Sequence, residues 1–170
     1  MVEGLAGSVI EGLRSYPYLA ILVASLMPGV EPRYAVILGA TMPGVSLEES
    51  LAVSLAGLSI LSTALSLAIS ALDSFLEKIP GEGSRLSPLA RLYRRVKLSG
   101  YKRARGSVER WGLLGLILFI AVPLPFTGIY TGALASILLN IRGLRLFTAL
   151  ALGGLLSLAL TTALLLIAGS

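Results

Sequence analysis

Val122-Pro123-Leu124-Pro125-Phe126-Thr127-Gly128 sits in the middle of 31 uncharged residues, 111–141. As one straight helix that run measures about 46 Å at about 1.5 Å per residue. It is too long for a single crossing of a bilayer core of about 30 Å. It is also too short for two full crossings of about 20 residues each. Two prolines and a glycine break a helix at the centre. The arrangement that satisfies both limits is a re-entrant hairpin over 111–141, with a half-helix in, a broken loop and a half-helix out. Such a loop must be buried in protein or line a wet cavity, because bare backbone in lipid costs several kcal/mol per unsatisfied group.

Working outward, 25 uncharged residues (146–170) follow Arg145, and 23 (50–72) lie between Glu49 and Asp73. Each run is long enough to span, which predicts transmembrane helices over 50–76 and 146–169. The remaining apolar stretch repeats the odd pattern. Sixteen uncharged residues (15–30) precede Glu31-Pro32-Arg33, and fourteen (34–47) follow. With Pro28-Gly29 and Pro32 as breakers, a second re-entrant hairpin is expected over 16–47. A shift of 95 lays 16–75 on 111–170 without a gap: Tyr16 falls on Trp111, Pro28 on Pro123, Ala40 on Ala135 and Leu51 on Leu146. A hairpin plus one span crosses an odd number of times, so the second copy must be inverted. The expected fold is an all-α integral membrane protein built as an inverted repeat of re-entrant helical hairpin plus transmembrane helix. The copies are 16–77 and 111–170, and broken helices meeting in this way are a transporter architecture.

Composition agrees. The 170 residues are 55% hydrophobic and 14% charged, with a mean hydropathy of +0.87. That is too few charges to cover a soluble domain, where about 25% is usual. With no Cys and no His, disulfides, thiol catalysis and Cys/His zinc sites are excluded, and neither cofactor nor metal is expected. Gln is absent and Asn140 is the only Asn, a depletion that correlates with thermophilic sources.

Charge is segregated. Residues 1–77 carry a net −5, 78–110 a net +8 and 111–170 a net +2, from Arg142 and Arg145. The basic block lies between apolar segments and matches no nucleic-acid motif, so it reads as a cytoplasmic loop by the positive-inside rule. If 111–141 is a hairpin, Arg142 and Arg145 share that side, while Glu48, Glu49 and both termini lie outside. Residues 1–15 place Val2, Leu5, Val9, Ile10 and Leu13 at helical spacing opposite Glu3 and Glu11, which suits an interfacial amphipathic helix. In 78–110, Leu86, Leu89, Tyr93 and Val96 form a stripe flanked by Arg91, Arg94, Arg95 and Lys97. A basic amphipathic helix of that kind suits an anionic lipid surface. A solvated loop carrying topogenic charge fits the same residues.

Glu31 and Arg33 are the only charges inside the expected membrane region. Intramembrane charges are expensive and point to function. Glu31 is a candidate proton carrier, and the forked donors of Arg33 suit phosphate or carboxylate. The structural alternative is an ion pair that closes the loop. The second loop offers Thr127, Tyr130 and Thr131 hydroxyls with Gly128 and Gly132, at the N-terminus of a returning half-helix. There the structural alternatives are an N-cap at Thr127 and close helix packing at the glycines. Glu31 has no second carboxylate, His or Cys beside it, so no enzyme chemistry is expected.

Met27-Pro-Gly-Val-Glu-Pro-Arg33 and Val122-Pro-Leu-Pro-Phe-Thr-Gly-Ile-Tyr-Thr-Gly132 resemble the two signature loops of the small multi-drug export protein family, grouped with the wider DedA superfamily. The resemblance covers about 16–170. It implies a multi-pass protein of a prokaryotic cell membrane, with hairpins meeting at the membrane centre. It also implies proton-linked movement of phospholipid or polyprenyl phosphate, a flippase-like activity. Glu31 and Arg33 match the first-loop charges. DedA proper has a second-loop arginine, where this chain has Thr127 and Gly128. Two other functions fit the residues: export of cationic amphiphilic drugs through Glu31, and a non-transporting membrane scaffold with Glu31 and Arg33 as a structural pair. Two hairpins in so short a chain leave the loops poorly covered, which points to a homodimer among membrane lipids.

Overall fold

The computed structural model describes residues 16–78, 108–123 and 127–168. The expected interfacial helix over 1–15, the basic residues Arg91, Arg94, Arg95 and Lys97, and loop residue Pro125 lie outside them. Among the described residues there are six helices and no strand.

The first is α1 (Pro17–Leu26), with proline at its start, where a missing N–H costs nothing. It stops before Pro28. The tetrapeptide Met-Pro-Gly-Val then appears twice, at 27–30 and 42–45, and brackets α2 (Glu31–Ala40). In each copy the valine N–H donates to the methionine carbonyl at 3.3 Å. Proline stands second and glycine third, with φ of +91° at Gly29 and +79° at Gly44. This is the type II turn pattern, whose third residue favours glycine.

Next comes α3 (Leu47–Lys78), 32 residues long. Ser46 and Glu49 start it as a capping box. The Glu49 N–H donates to Ser46 Oγ at 3.2 Å, and the Ser46 N–H donates to Glu49 Oε2 at 2.8 Å. Tyr18 Oη also donates to Glu49 Oε1, at 3.0 Å, tying the start of α1 to the start of α3.

The second half begins with α4 (Val108–Ala121), which ends two residues before Pro123. It is followed by α5 (Ile129–Leu139) and α6 (Gly143–Ala168). Asn140 ends α5 in the left-handed region, φ +55°. The Ile141 N–H donates to the Ser136 carbonyl at 2.9 Å, and the Asn140 N–H to that of Ile137 at 3.3 Å. This is a Schellman close, finished by burial of Ile141. The chain's single asparagine thus takes a role usually given to glycine, and Arg142 donates to its side-chain oxygen.

Two helices, Leu47–Leu72 and Gly143–Ala168, are long and apolar enough to cross a membrane. The shorter apolar helices Pro17–Leu26, Gly112–Ala121 and Ile129–Leu139 measure about 15 Å each, half a bilayer core. The shift of 95 carries Pro17–Leu26 onto Gly112–Ala121, so the order of short helix, break, short helix, joint and long helix occurs twice. The helices that contain the expected spans 50–76 and 146–169 begin earlier, at Leu47 and Gly143, and the helix leading into the second loop begins at Val108. Charged residues read as joints, Glu48, Glu49 and Arg145, lie in first turns, and the acids suit a helix N-terminus.

The chain divides into two units, one of 16–61 with 155–168, the other of 62–154. In the first, Ile21, Ala24 and Ala35 form a core cluster with Val30, Met42, Val45 and Val53 packed on it. Small residues bring the helices close: a side chain at Gly39 would run into Ser50 and Ile21, and one at Gly57 into Ser25. In the second unit Ile120 fills the space over Gly132 and Gly153. A Cβ at Gly153 would lie 2.9 Å from the Ile117 carbonyl oxygen and 2.7 Å from Ile120 Cβ.

Since Gly153 faces backbone and a branched side chain, Gly153→Ala is expected to cost about 1–3 kcal/mol. At Gly115 an added methyl group would meet nothing within 4 Å, so alanine there should cost nothing or gain up to about 1 kcal/mol of helix propensity. Thermal unfolding of the two variants in detergent compares them directly.

Candidate functional site

Two consecutive turns of backbone geometry deliver Glu31. After the Pro28–Gly29 turn, the N–H groups of Val30 and Glu31 both donate to the Met27 carbonyl, at 3.3 and 3.2 Å. Glu31 then takes φ +57°, in the left-handed region, as the first residue of α2. Pro32 follows as the second helical residue, where proline is tolerated. A non-glycine residue in this region costs about 1–2 kcal/mol, and the following proline narrows its choices further. Strain of this kind collects where a side chain must be aimed.

Glu31 and Arg33 are both buried, at 5% and 6% exposure. Arg33 Nε lies 3.5 Å from Glu31 Oε2, and the guanidinium carbon is 5.0 Å from the centre of the Tyr34 ring, within cation–π range. The structure thus brings together the two first-loop charges. Pro32 is buried between them, while Pro28 lies exposed in the preceding turn. A buried pair gains little net stability over apolar packing, but removing one partner leaves an uncompensated charge that costs about 3–5 kcal/mol. The pair is therefore a poor device for stability alone.

The second loop is built differently. Thr127 Oγ1 donates to the Val122 carbonyl at 2.6 Å, across the break that contains Pro123 and Pro125. Thr131 Oγ1 donates to the Gly128 carbonyl at 3.2 Å. The N-cap of α5 is Gly128 in extended conformation, with no side-chain cap bond. The N-cap alternative for Thr127 is not what the helix uses, since Gly128 holds that position and the Thr127 hydroxyl reaches back across the break. Tyr130 and Thr131 are half-buried in the first turn of α5. Gly132 serves close packing against Ile120. Each loop belongs to its own unit.

Sequence reading missed the Tyr18–Ser46–Glu49 cluster, although Ser-x-x-Glu ahead of an apolar run is a readable capping signal. It also missed the recurrence of Met-Pro-Gly-Val, which could have been found by inspection.

Glu31→Gly and Glu31→Ala both delete the carboxylate, so their difference isolates the backbone. The glycine variant is expected to be more stable by about 1 kcal/mol, since alanine keeps the left-handed strain. Equal unfolding midpoints would show that Glu31 carries no such strain.

No curated protein and no solved structure matches the chain. One family model does, over residues 31–160, a span that opens on Glu31, takes in Arg33 and the whole second loop, and ends within α6. With most of its length matched and two helices fit to cross a membrane, the chain belongs to the membrane-protein family described as "Putative small multi-drug export protein".

Proposed function

We propose that the protein is a proton-coupled transporter that moves a lipid-like anion, such as a phospholipid or polyprenyl phosphate, between leaflets. The observation that carries this is the buried Glu31–Arg33 pair at the tip of the α1–α2 hairpin. While Glu31 is ionised, it holds Arg33. A proton on Glu31 removes the partner charge, and the guanidinium can then take an oxyanion through its forked donors. Loss of the proton restores the pair and expels the anion. The DedA-like resemblance points the same way, with the difference that the second loop carries Thr127 and Gly128 where DedA proper has an arginine.

The family description favours a second reading, export of drugs. A cationic amphiphile would have to displace Arg33 from Glu31. Arg33 is a permanent charge tethered two residues away, so the anion is the cargo favoured by the geometry.

The architecture belongs to the same proposal. Three apolar helices of 10 or 11 residues are too short to cross, which supports two re-entrant hairpins, and the recurring element order supports an inverted repeat. Cysteines at the exposed positions Glu48 and Leu144 should then label from opposite faces, 48 from outside and 144 from inside. Labelling of both from one face would overturn the inversion.

Transport is tested in liposomes carrying fluorescent phosphatidylglycerol in one arm and a cationic dye in the other. The expected result is leaflet exchange of the lipid, faster in acid, and reduced at least about tenfold in Arg33→Ala. That variant should also lose stability, by about 3–5 kcal/mol, because Glu31 is left without its charge partner. Arg33→Lys keeps the charge without the fork and should fold while transporting weakly. Movement of the dye alone, lost in Glu31→Gln, would establish the drug reading instead.

A further inference from the structure

Tyr34 is the one aromatic residue among the ten of α2, and it follows Arg33 directly. Its ring centre lies 5.0 Å from the Arg33 guanidinium carbon. Glu31 meets the same guanidinium at its inner nitrogen, with Oε2 3.5 Å from Nε. Glu31 and Arg33 are buried and Tyr34 is half-buried. Water therefore screens the contact of ring and cation only in part, and such contacts gain strength as they lose water.

The two contacts depend on different things. Attraction to Glu31 is between charges and goes when the carboxylate is neutral. Attraction to the Tyr34 ring comes from the negative face of its quadrupole and does not follow the state of Glu31. Arginine has many rotamers and gives up much freedom when it is held. Released from its carboxylate without a second hold, it would spread over those rotamers, and an arriving anion would have to gather it again. A ring contact settles that cost beforehand. It also leaves the donors usable, because an aromatic ring takes a guanidinium by its face, whereas the five N–H groups point outward in its plane.

We propose that Tyr34 is a positioning residue of the Glu31–Arg33 site, whose ring holds the Arg33 guanidinium in aim for a phosphate-type oxyanion independently of Glu31. The proposal rests on the anion reading above and adds a residue to it. Tyr34 acts through Arg33, and what it contributes is the negative face of the ring. A leucine fills similar space without that face, so packing and positioning can be told apart.

The test uses the purified full chain in neutral detergent and acid buffer, with thermal unfolding followed as anion is added at matched ionic strength in chloride. The probes are inorganic phosphate, for a free oxyanion, and phosphatidic acid in mixed micelles, for a lipid headgroup. The readout is the anion concentration that gives half of the full shift, taken apart from each variant's unfolding temperature without anion. Wild type should be stabilised by at least one probe. Tyr34→Leu should need about fivefold more of that anion, the loss of one partly desolvated cation–π contact. Tyr34→Phe keeps the ring and should stay within about twofold of wild type. Fluorines added one at a time to that phenylalanine weaken its negative face with little change of shape, and the anion requirement should climb with each. Should the leucine variant fail to fold, the fluorine series decides alone. A requirement that stays level through the series means that the ring only packs, and it overturns the proposal. A requirement that falls with fluorine also overturns it, since the ring would then compete with the anion, as does a Tyr34→Phe variant no better than Tyr34→Leu. In these three cases wild type still responds and the anion reading stands. If wild type responds to neither probe, both fall.

Discussion

Backbone N–H and C=O groups released by a break in a helix find no partner in lipid, so every break must close its own hydrogen bonds. The described part of this chain meets that constraint with local devices beside its breaks. The break after α1 is closed by a type II turn that gathers two N–H groups onto the Met27 carbonyl. The same tetrapeptide closes the end of α2. A capping box starts α3, a Schellman turn ends α5, and Thr127 reaches back across the second proline break to the Val122 carbonyl. Prolines and glycines make the breaks, and the residues beside them settle the polar groups that result.

The constraint also explains why Glu31 is where it is. The turn at 27–30 ends with the Glu31 N–H already committed to Met27. Pro32 has no N–H to satisfy. Both N–H demands are thus settled before the helix proper, and a left-handed φ at Glu31 is tolerated at a cost of about 1–2 kcal/mol. Arg33 then follows two residues later, close enough to pair with Glu31 across the proline. Charge pairing, backbone closure and helix initiation are met by seven consecutive residues, 27–33. A change at any of them touches all three.

The two long helices were legible from uncharged runs alone, because length and absence of charge are what a bilayer demands of a span. The short helices were legible from Pro28-Gly29 and Pro123, since proline stops a helix wherever it stands beyond the first turn. Helix starts were read late, at 50 and 146, because Glu49 and Arg145 look like polar joints until their place in the first turn is known. The pairing of Glu31 with Arg33 was open in the sequence, as helical spacing does not fix two residues separated by proline. The separate settings of the α3 serines were not legible. Residues 50–74 contain serines at 50, 54, 59, 62, 66, 70 and 74, alike in composition and spacing. Ser50 reaches the Val36 carbonyl on α2 while Ser59, Ser66, Ser70 and Ser74 turn back to carbonyls of α3 itself, a difference that composition and spacing do not carry.

The family match begins at Glu31, which leaves α1 and the turn at 27–30 outside it, yet α1 packs against α2 next to the pair's own helix. Ile21 and Ala24 cover Ala35 on α2, and Ser25 lies against Gly57. These contacts ask only for small or apolar side chains that let three helices approach, and many sequences meet that demand. The demand on 27–33 is narrower, since it combines a glycine-type φ, a proline and two charges in fixed order. The match thus takes in the charged half of the broken loop, while α1 packs on α2 through residues with little individual character. Substitutions in α1 should accordingly act on the site through packing, and those in 27–33 through geometry and charge.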